Sequence, residues 1–166
     1  MIAPDELAER LRERFIDTVV ARGEVTVTVA REELLETVRW LRAESELAFD
    51  AVADVSCTDW PGREPRVWMA YHLYSTRHGH RLRVKVGLPG GDLRIDSLTP
   101  DFPAADWQER EVFDFFGVTF EGHPDLRRII MPEGWEGYPL RKDYPLGGVP
   151  TQYKGAFVPP PDERGL

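Results

Sequence analysis

Glycine and proline are concentrated at one end of this chain, and their distribution limits what each part can fold into. Residues 121–166 hold 15 of the 28 glycines and prolines. Because proline and glycine disfavour helices and central strands, this part cannot build a core of its own. It nevertheless carries Ile129, Trp135 and Tyr138, which a disordered linker would lack. We predict one domain, with an α+β unit over 1–120 and an extended interface segment over 121–166.

The length and charge of the chain exclude several classes of protein. Its 166 residues are enough for one domain with a real core, and its net charge of −8 argues against nucleic acid as the main partner. No apolar run is long enough to span a membrane, and the first nine residues carry acids where a targeting peptide needs basic residues. The lone Cys57 excludes a disulfide framework and a cysteine-ligated cluster within this chain. We therefore expect a water-soluble protein.

Apolar periodicity predicts three helices and a sheet in residues 1–120. Helical spacing indicates helices over 4–19, 32–43 and 104–116, the last ended by Gly117. Alternation indicates strands over 25–29, 47–57, 67–74 and 81–88, with a further edge strand at 93–98. The predicted fold is α+β: N-terminal helices packed on a four- to five-stranded, mixed but largely antiparallel sheet, then a third helix and the extended Gly/Pro-rich segment.

The third predicted helix carries the densest group of polar residues. Helical geometry places Trp107, Glu111 and Asp114 on one face. Paired carboxylates can act as a general acid and base. With no nucleophile, metal motif or phosphate loop nearby, an ion-pair cluster is the favoured interpretation, because Arg110 can reach Asp114 and four more cations follow. These are Arg127, Arg128, Arg141 and Lys142.

The histidines suggest no metal site. His78 and His80 lie in a predicted turn without a third ligand nearby, so we expect a solvated hairpin tip. His123 lies in a polar turn beside two arginines and could titrate near neutral pH, although a backbone-bonded turn histidine is the commoner case.

Three blocks in residues 101–146 together resemble one known family. The blocks are Ala105-Asp106-Trp107-Gln108-Glu109-Arg110-Glu111-Val112-Phe113-Asp114-Phe115-Phe116-Gly117, then Phe120-Glu121-Gly122-His123-Pro124-Asp125-Leu126-Arg127-Arg128-Ile129, then Leu140-Arg141-Lys142-Asp143-Tyr144-Pro145-Leu146. In order and spacing they closely resemble the C subunit of the respiratory NADH-quinone oxidoreductase, complex I. Residues 147–166 lack the longer continuation associated with many members.

The resemblance implies a peripheral-arm subunit of the proton-translocating complex, with no active site or cofactor of its own. Flavin mononucleotide, iron–sulfur clusters and quinone would belong to partner subunits, with the D and B subunits as neighbours on the cytoplasmic side of the cell membrane. The residues expected in an interface or structural ion-pair network are Trp107, Glu109, Arg110, Glu111, Asp114, His123, Asp125, Arg127, Arg128, Arg141, Lys142, Asp143 and Tyr144.

Two alternatives stay open. One is the homologous subunit of a membrane-bound hydrogenase or of a dehydrogenase with another electron donor. The other is an independent acid/base enzyme, a hydrolase or an isomerase, using Glu109, Glu111, Asp114 and His123. Under the subunit hypothesis, we expect Arg128 and Arg141 to meet carboxylates of neighbouring chains and to matter little to the isolated domain.

Overall fold

A five-stranded sheet forms the centre of the protein. The computed structural model describes residues 2–145, 151–153 and 156–158, the last two stretches as backbone only. The sheet is antiparallel except where the second and fifth strands run parallel, and its spatial order is β1-β2-β5-β4-β3. This confirms the predicted mixed, largely antiparallel sheet. The strands are β1 (Thr18–Ala21), β2 (Glu24–Val29), β3 (Ala51–Asp59), β4 (Val67–Tyr74) and β5 (Arg81–Leu88).

Three α-helices accompany the sheet: α1 (Pro4–Arg12), α2 (Leu34–Ala43) and α3 (Ala105–Phe116). A single 3-10 turn at Arg31–Glu33 leads into α2. Gly117 ends α3 in the left-handed conformation, with a φ of 72°, as its sequence position predicts. The three predicted helices are therefore present.

The first helix is shorter than its apolar spacing predicts. It stops at Arg12, and Val19 lies in β1 rather than on a helical face. Ile16 and Val19, which helical spacing places on the buried stripe, are 101% and 51% exposed. The β-branched residues of 16–20 fit a strand better than a helix, and the turn at Gly23 pairs this strand with β2.

The predicted edge strand at 93–98 does not join the main sheet. Instead β6 (Arg94–Asp96) pairs in parallel with β7 (Thr119–Glu121) in a separate two-stranded sheet. Helix α3 is the connection between them, and parallel neighbours need such a crossover. Sequence alternation locates the strand but carries no information about its partner.

The core lies on one face of the main sheet. Alternate residues of β2, β4 and β5 are buried, among them Val27, Met69 and Val84. The three helices contribute Leu11, Leu41 and Val112 to the same core. The outward residues of the same strands are only partly buried or exposed. One face of the sheet is therefore packed, and the other carries no helix of the described residues.

The glycine- and proline-rich part follows β7. Residues 122–145 contain no helix or strand, and β8 (Thr151–Tyr153) and β9 (Ala156–Val158) form a short antiparallel pair. The predicted extension of the interface segment through 146–150, 154–155 and 159–166 lies outside the described residues. None of the described helices is long and apolar enough to cross a membrane.

Candidate functional site

Residues 122–145, here called the return segment, fold back over the C-terminal end of α3. The last carbonyl groups of a helix have no partner within the helix. In α3 they accept hydrogen bonds from Gly117 and from the return segment. The donor–acceptor pairs are Gly117 N to Phe113 O at 2.9 Å, Arg128 Nη1 to Asp114 O at 3.0 Å, Leu140 N to Phe115 O at 3.2 Å and Arg141 Nε to Phe116 O at 2.6 Å. Because α3 has no basic residue in its last turn, these two guanidiniums also complement its dipole.

The Asp114 carboxylate is the main anchor of the return segment. It is fully buried, and Arg128 Nη1 donates to its Oδ1 at 2.8 Å. The main-chain amides of three consecutive residues donate to its Oδ2, at 3.0, 2.8 and 2.9 Å for Ile129, Ile130 and Met131. Burial by itself raises the pKa of Asp114, but the three amides and the guanidinium outweigh it and hold this pKa below its ordinary value.

Tyr138 links the two arginines of this anchor. The Arg141 and Arg128 guanidinium carbons lie 4.5 and 5.1 Å from the centroid of its ring. A Cβ atom at Gly117 would lie 2.5 Å from two carbons of the same ring. The glycine therefore serves both the left-handed turn and the close approach of Tyr138.

A second buried carboxylate fixes the end of the return segment. Asp59, at the end of β3, forms a two-pronged pair with Arg66, with distances of 2.6 and 2.9 Å. Arg66 also reaches Asp143 at 2.8 Å, and the Lys142 amide donates to Asp59 Oδ2 at 2.8 Å. The hydrogen bond from Arg66 is the main cause that keeps the pKa of Asp59 below its usual range.

A third carboxylate, Glu109, lies beneath the start of the segment. It is fully buried and accepts hydrogen bonds from Ser97 Oγ at 2.6 Å, Leu98 N at 2.7 Å and Thr99 Oγ1 at 3.3 Å. Burial raises the pKa of Glu109 despite these donors. The His123 ring lies 4.0 Å from the same carboxylate, and its Nδ1 accepts from the Asp125 amide at 3.0 Å. That amide bond assigns the proton to Nε2, which faces the Asp106 carbonyl at 3.3 Å.

The structure separates the two carboxylates that helical spacing placed on one face. Glu111 is exposed and has no ion-pair partner within 2–145, whereas Asp114 is buried. Trp107 is 64% exposed, with Arg110 stacked on it at 4.8 Å. Arg110 bonds to the carbonyl of Arg127 rather than to Asp114. The three-residue offset between Glu111 and Asp114 is 60° short of a full turn, enough to turn one side chain to solvent.

Other predicted residues divide between internal and surface contacts. Arg128 and Arg141 make contacts within the chain, so the structure does not support their assignment to carboxylates of neighbouring chains. Arg127 forms an exposed pair with Asp125 at 2.6 Å. Tyr144 packs against Gly137, where a Cβ atom would lie 2.8 Å from its ring.

The predicted solvated hairpin tip is wrong for His80. Only 3% of this residue is exposed, and its Nε2 lies 2.6 Å from the Leu47 carbonyl oxygen. His78 stacks on it with ring centroids 5.5 Å apart. His80 directly precedes β5, in which Arg81 is exposed and Leu82 is buried. The same alternation places His80 on the buried side. Within the described residues, no group of three or more His, Cys, Asp or Glu side chains could hold a metal ion.

Sequence reasoning missed Asp59, Arg66, Ser97 and Thr99. Asp59 lies on the inward-facing side of β3, at every second position after Val55. A carboxylate at such a buried position needs a partner, and this was the one available signal. The others gave no signal, because their contacts join residues 7 to 77 positions apart.

Comparison with known proteins identifies the family. The profile of the family described as respiratory-chain NADH dehydrogenase, 30 kDa subunit, matches residues 27–150. The chain is 46% identical to the NADH-quinone oxidoreductase C subunit of a Nocardioides species over 96% of its length, and 48% identical to that of Mycobacterium marinum over 96%. It belongs to the family of NADH-quinone oxidoreductase C subunits. It spans about two thirds of these relatives, covering 66% and 72% of their lengths.

Two solved structures share the fold. One is described as the trypsin-resistant fragment of Nqo5, with a TM-score of 0.64 and 30% identity over 74% of this chain and 98% of that one. The other belongs to an archaeal respiratory membrane complex, the membrane-bound sulfane sulfur reductase. It has a TM-score of 0.72 and 27% identity over 86% of this chain and 85% of that one.

Proposed function

We propose that this chain is a structural subunit of a proton-translocating NADH-quinone oxidoreductase. It would lie in the peripheral arm on the cytoplasmic side of the membrane, beside the D and B subunits. The chain would hold no cofactor, while flavin mononucleotide, iron–sulfur clusters and quinone would belong to its partners. Membership of the C-subunit family supports this assignment.

One structural observation carries the proposal. Six large apolar side chains are exposed in the described part of the chain, and three of them belong to α3 or the return segment. Trp107, Ile130 and Leu140 are 64%, 54% and 48% exposed on a framework held by buried ion pairs. Exposed aromatic and aliphatic residues on a rigid support are typical of protein interfaces.

A second candidate follows from the structural comparison. The matching part of the sulfane sulfur reductase complex covers most of this chain at a TM-score of 0.72. The same module would then serve a respiratory membrane complex with a different electron donor. The identities of 45–48% to NADH-quinone oxidoreductase subunits favour the first candidate.

The acid/base hydrolase finds no support in the geometry. The donors to Asp114 occupy both carboxylate oxygens, and Glu109 is bound by three donors away from solvent. Desolvation raises the pKa of the Cys57 thiol to about 12, so this thiol is a poor nucleophile.

Separation of native membrane complexes tests the proposal. An affinity-tagged chain expressed in its own host should migrate with a detergent-solubilised complex that contains D and B subunits and oxidises NADH with quinone. Trp107→Ala combined with Leu140→Ala should reduce its recovery in that complex. Ile16→Ser should not, because Ile16 precedes β1 and belongs to neither α3 nor the return segment. A chain that migrates alone would contradict the proposal, and a complex without NADH oxidation would favour the second candidate.

A further inference from the structure

The face of the main sheet opposite the helices carries an ordered set of aromatic and basic side chains. On β4, Trp68, His72 and Tyr74 point outward, because they alternate with buried residues. On β5, Arg81, Arg83 and Lys85 do the same, and the register pairs Arg81 with Tyr74 and Arg83 with His72. These six residues are called the open sheet face.

Two of its cations lie over aromatic rings and lack a carboxylate partner. Lys85 Nζ is 4.5 Å from the centroid of the Trp68 ring, and the Arg81 guanidinium is 5.8 Å from that of Tyr74. Within residues 2–145 neither cation lies within 4.0 Å of a carboxylate, whereas Arg83 pairs with Glu24. A cation on a ring keeps outward N–H donors, so both can still accept an anionic partner.

The arrangement has the dimensions of an extended peptide. Trp68 and Tyr74 are six residues apart on one strand, about 20 Å at the usual rise per residue. At the Tyr74 end of this stretch lies a groove of about 350 Å³, lined by Arg81 and Arg83 and also by the carboxylates of Glu24 and Asp54.

A third pair continues the pattern at the β3 edge. The Arg63 guanidinium lies 4.7 Å from the centroid of the Trp60 ring, and Trp60 is 46% exposed. The Trp60 indole donates to Thr58 Oγ1 at 3.1 Å, and Thr58 is the cross-strand partner of Trp68. This third cation–ring pair thus flanks the open sheet face at the β3 edge.

We propose that the open sheet face binds an extended, acidic segment of a neighbouring subunit. Individually spaced cations match individual carboxylates, and the rings supply apolar contact area. A continuous polyanion fits less well, because Asp54 and Glu24 interrupt the cations of this face, whereas spaced carboxylates can lie opposite Arg81 and Lys85 alone. The inference rests on the proposed function and names the chemistry of one partner.

Charge reversal in the assembled complex tests the inference. Arg81→Glu combined with Lys85→Glu should lower recovery of the chain in the complex about tenfold, equivalent to about 1.4 kcal/mol of binding free energy. The unfolding midpoint of the free full-length chain should stay unchanged. The control is Arg12→Glu on α1, which lies on the opposite side of the sheet. Equal recovery of the double variant and the control would overturn the inference.

A photocross-link identifies the partner directly. With p-benzoylphenylalanine in place of Ala70, at the centre of the face, irradiation of the purified complex should join the chain to an acidic stretch of another subunit. Absence of a cross-link, or one to an apolar or basic stretch, would overturn the inference. Binding of the free chain to a 12-nucleotide oligothymidylate, abolished by the double charge reversal, would also overturn it in favour of nucleic acid. Absence of the wild-type chain from the complex would reject the proposed function itself.

Discussion

Arg128 and Asp114 make two hydrogen bonds through a single guanidinium nitrogen. Nη1 of Arg128 lies 2.8 Å from the Asp114 carboxylate and 3.0 Å from its carbonyl oxygen. The carboxylate side chain is 0% exposed and the arginine side chain 20% exposed. The neighbouring Arg127 instead forms a surface pair with Asp125. One side chain thus neutralises a buried charge and caps the end of α3.

Arg128→Ala should destabilise the chain strongly. Removing one partner of a buried pair costs about 3–5 kcal/mol, and we expect a loss near the lower bound because three amides still bind Asp114. Urea denaturation of the full chain at pH 7 measures this loss. Arg127→Ala is the matched control and should leave the midpoint nearly unchanged, since its pair is exposed. Similar shifts for the two variants would contradict the internal role of Arg128.

Gly117→Ala should detach part of the return segment. The new methyl group would lie 2.5 Å from Tyr138 ring carbons and 2.7 Å from Arg141 Nη2, in addition to the strain of the positive φ. Gly122→Ala isolates the strain, because Gly122 has a φ of 79° and no atom within 4 Å of the added carbon. We expect about 1–2 kcal/mol for Gly122→Ala and a larger loss for Gly117→Ala. Amide hydrogen exchange at 138 and 140–142 should accelerate only in the Gly117 variant, and equal rates in both would reject the packing argument.

Asp59→Asn should reduce the loss of folding stability that accompanies a fall in pH. The Arg66 hydrogen bond lowers the pKa of folded Asp59, so this residue stabilises the fold above the unfolded pKa of about 3.9. That contribution disappears as pH falls through the folded pKa. The variant should be less stable than wild type at pH 7, with the difference narrowing toward pH 3 in thermal unfolding.

Asp143→Asn serves as the control for the same network. Asp143 bonds to Arg66 but is 57% exposed, so its substitution should change stability little at either pH. A difference in thermal stability between wild type and Asp59→Asn that stays constant across the pH range would show that the charge of the Asp59 carboxylate does not stabilise the fold.

Glu109→Gln should have the opposite pH signature. Because burial raises the pKa of folded Glu109, the fold binds this proton more tightly than the unfolded chain does. The contribution of Glu109 is therefore greatest at acid pH and falls as pH rises from the unfolded value of about 4.3 through the folded value. In urea unfolding from pH 4 to 7, the free energy of unfolding of the wild type should fall as pH rises, and that of the variant should fall less. Glu111→Gln, two residues along the same helix and exposed, should follow wild type.

Most of the secondary structure, and the family, could be predicted from the amino-acid sequence. The alternation of β2, β4 and β5 and the Gly117 stop were readable because each depends on neighbouring residues. The motif of α3 and the return segment likewise indicated the C-subunit family, because it consists of short runs of consecutive residues. The excess of glycine and proline in residues 121–166 correctly ruled out a helix in the described part of that region.

The contacts that hold these elements together could not be predicted from the sequence. The end of α1 and the partner of β6 depended on strands elsewhere in the chain, so local periodicity misplaced Ile16 and Val19. Likewise, Asp114 and Glu111 are equivalent carboxylates in sequence. The return segment, 14 to 17 residues further along the chain, supplies a guanidinium and three amides to Asp114 and buries it. Glu111 receives no such partner from that segment and stays exposed. Burial and desolvation are properties of contacts between distant residues, and these contacts form only when the chain has folded.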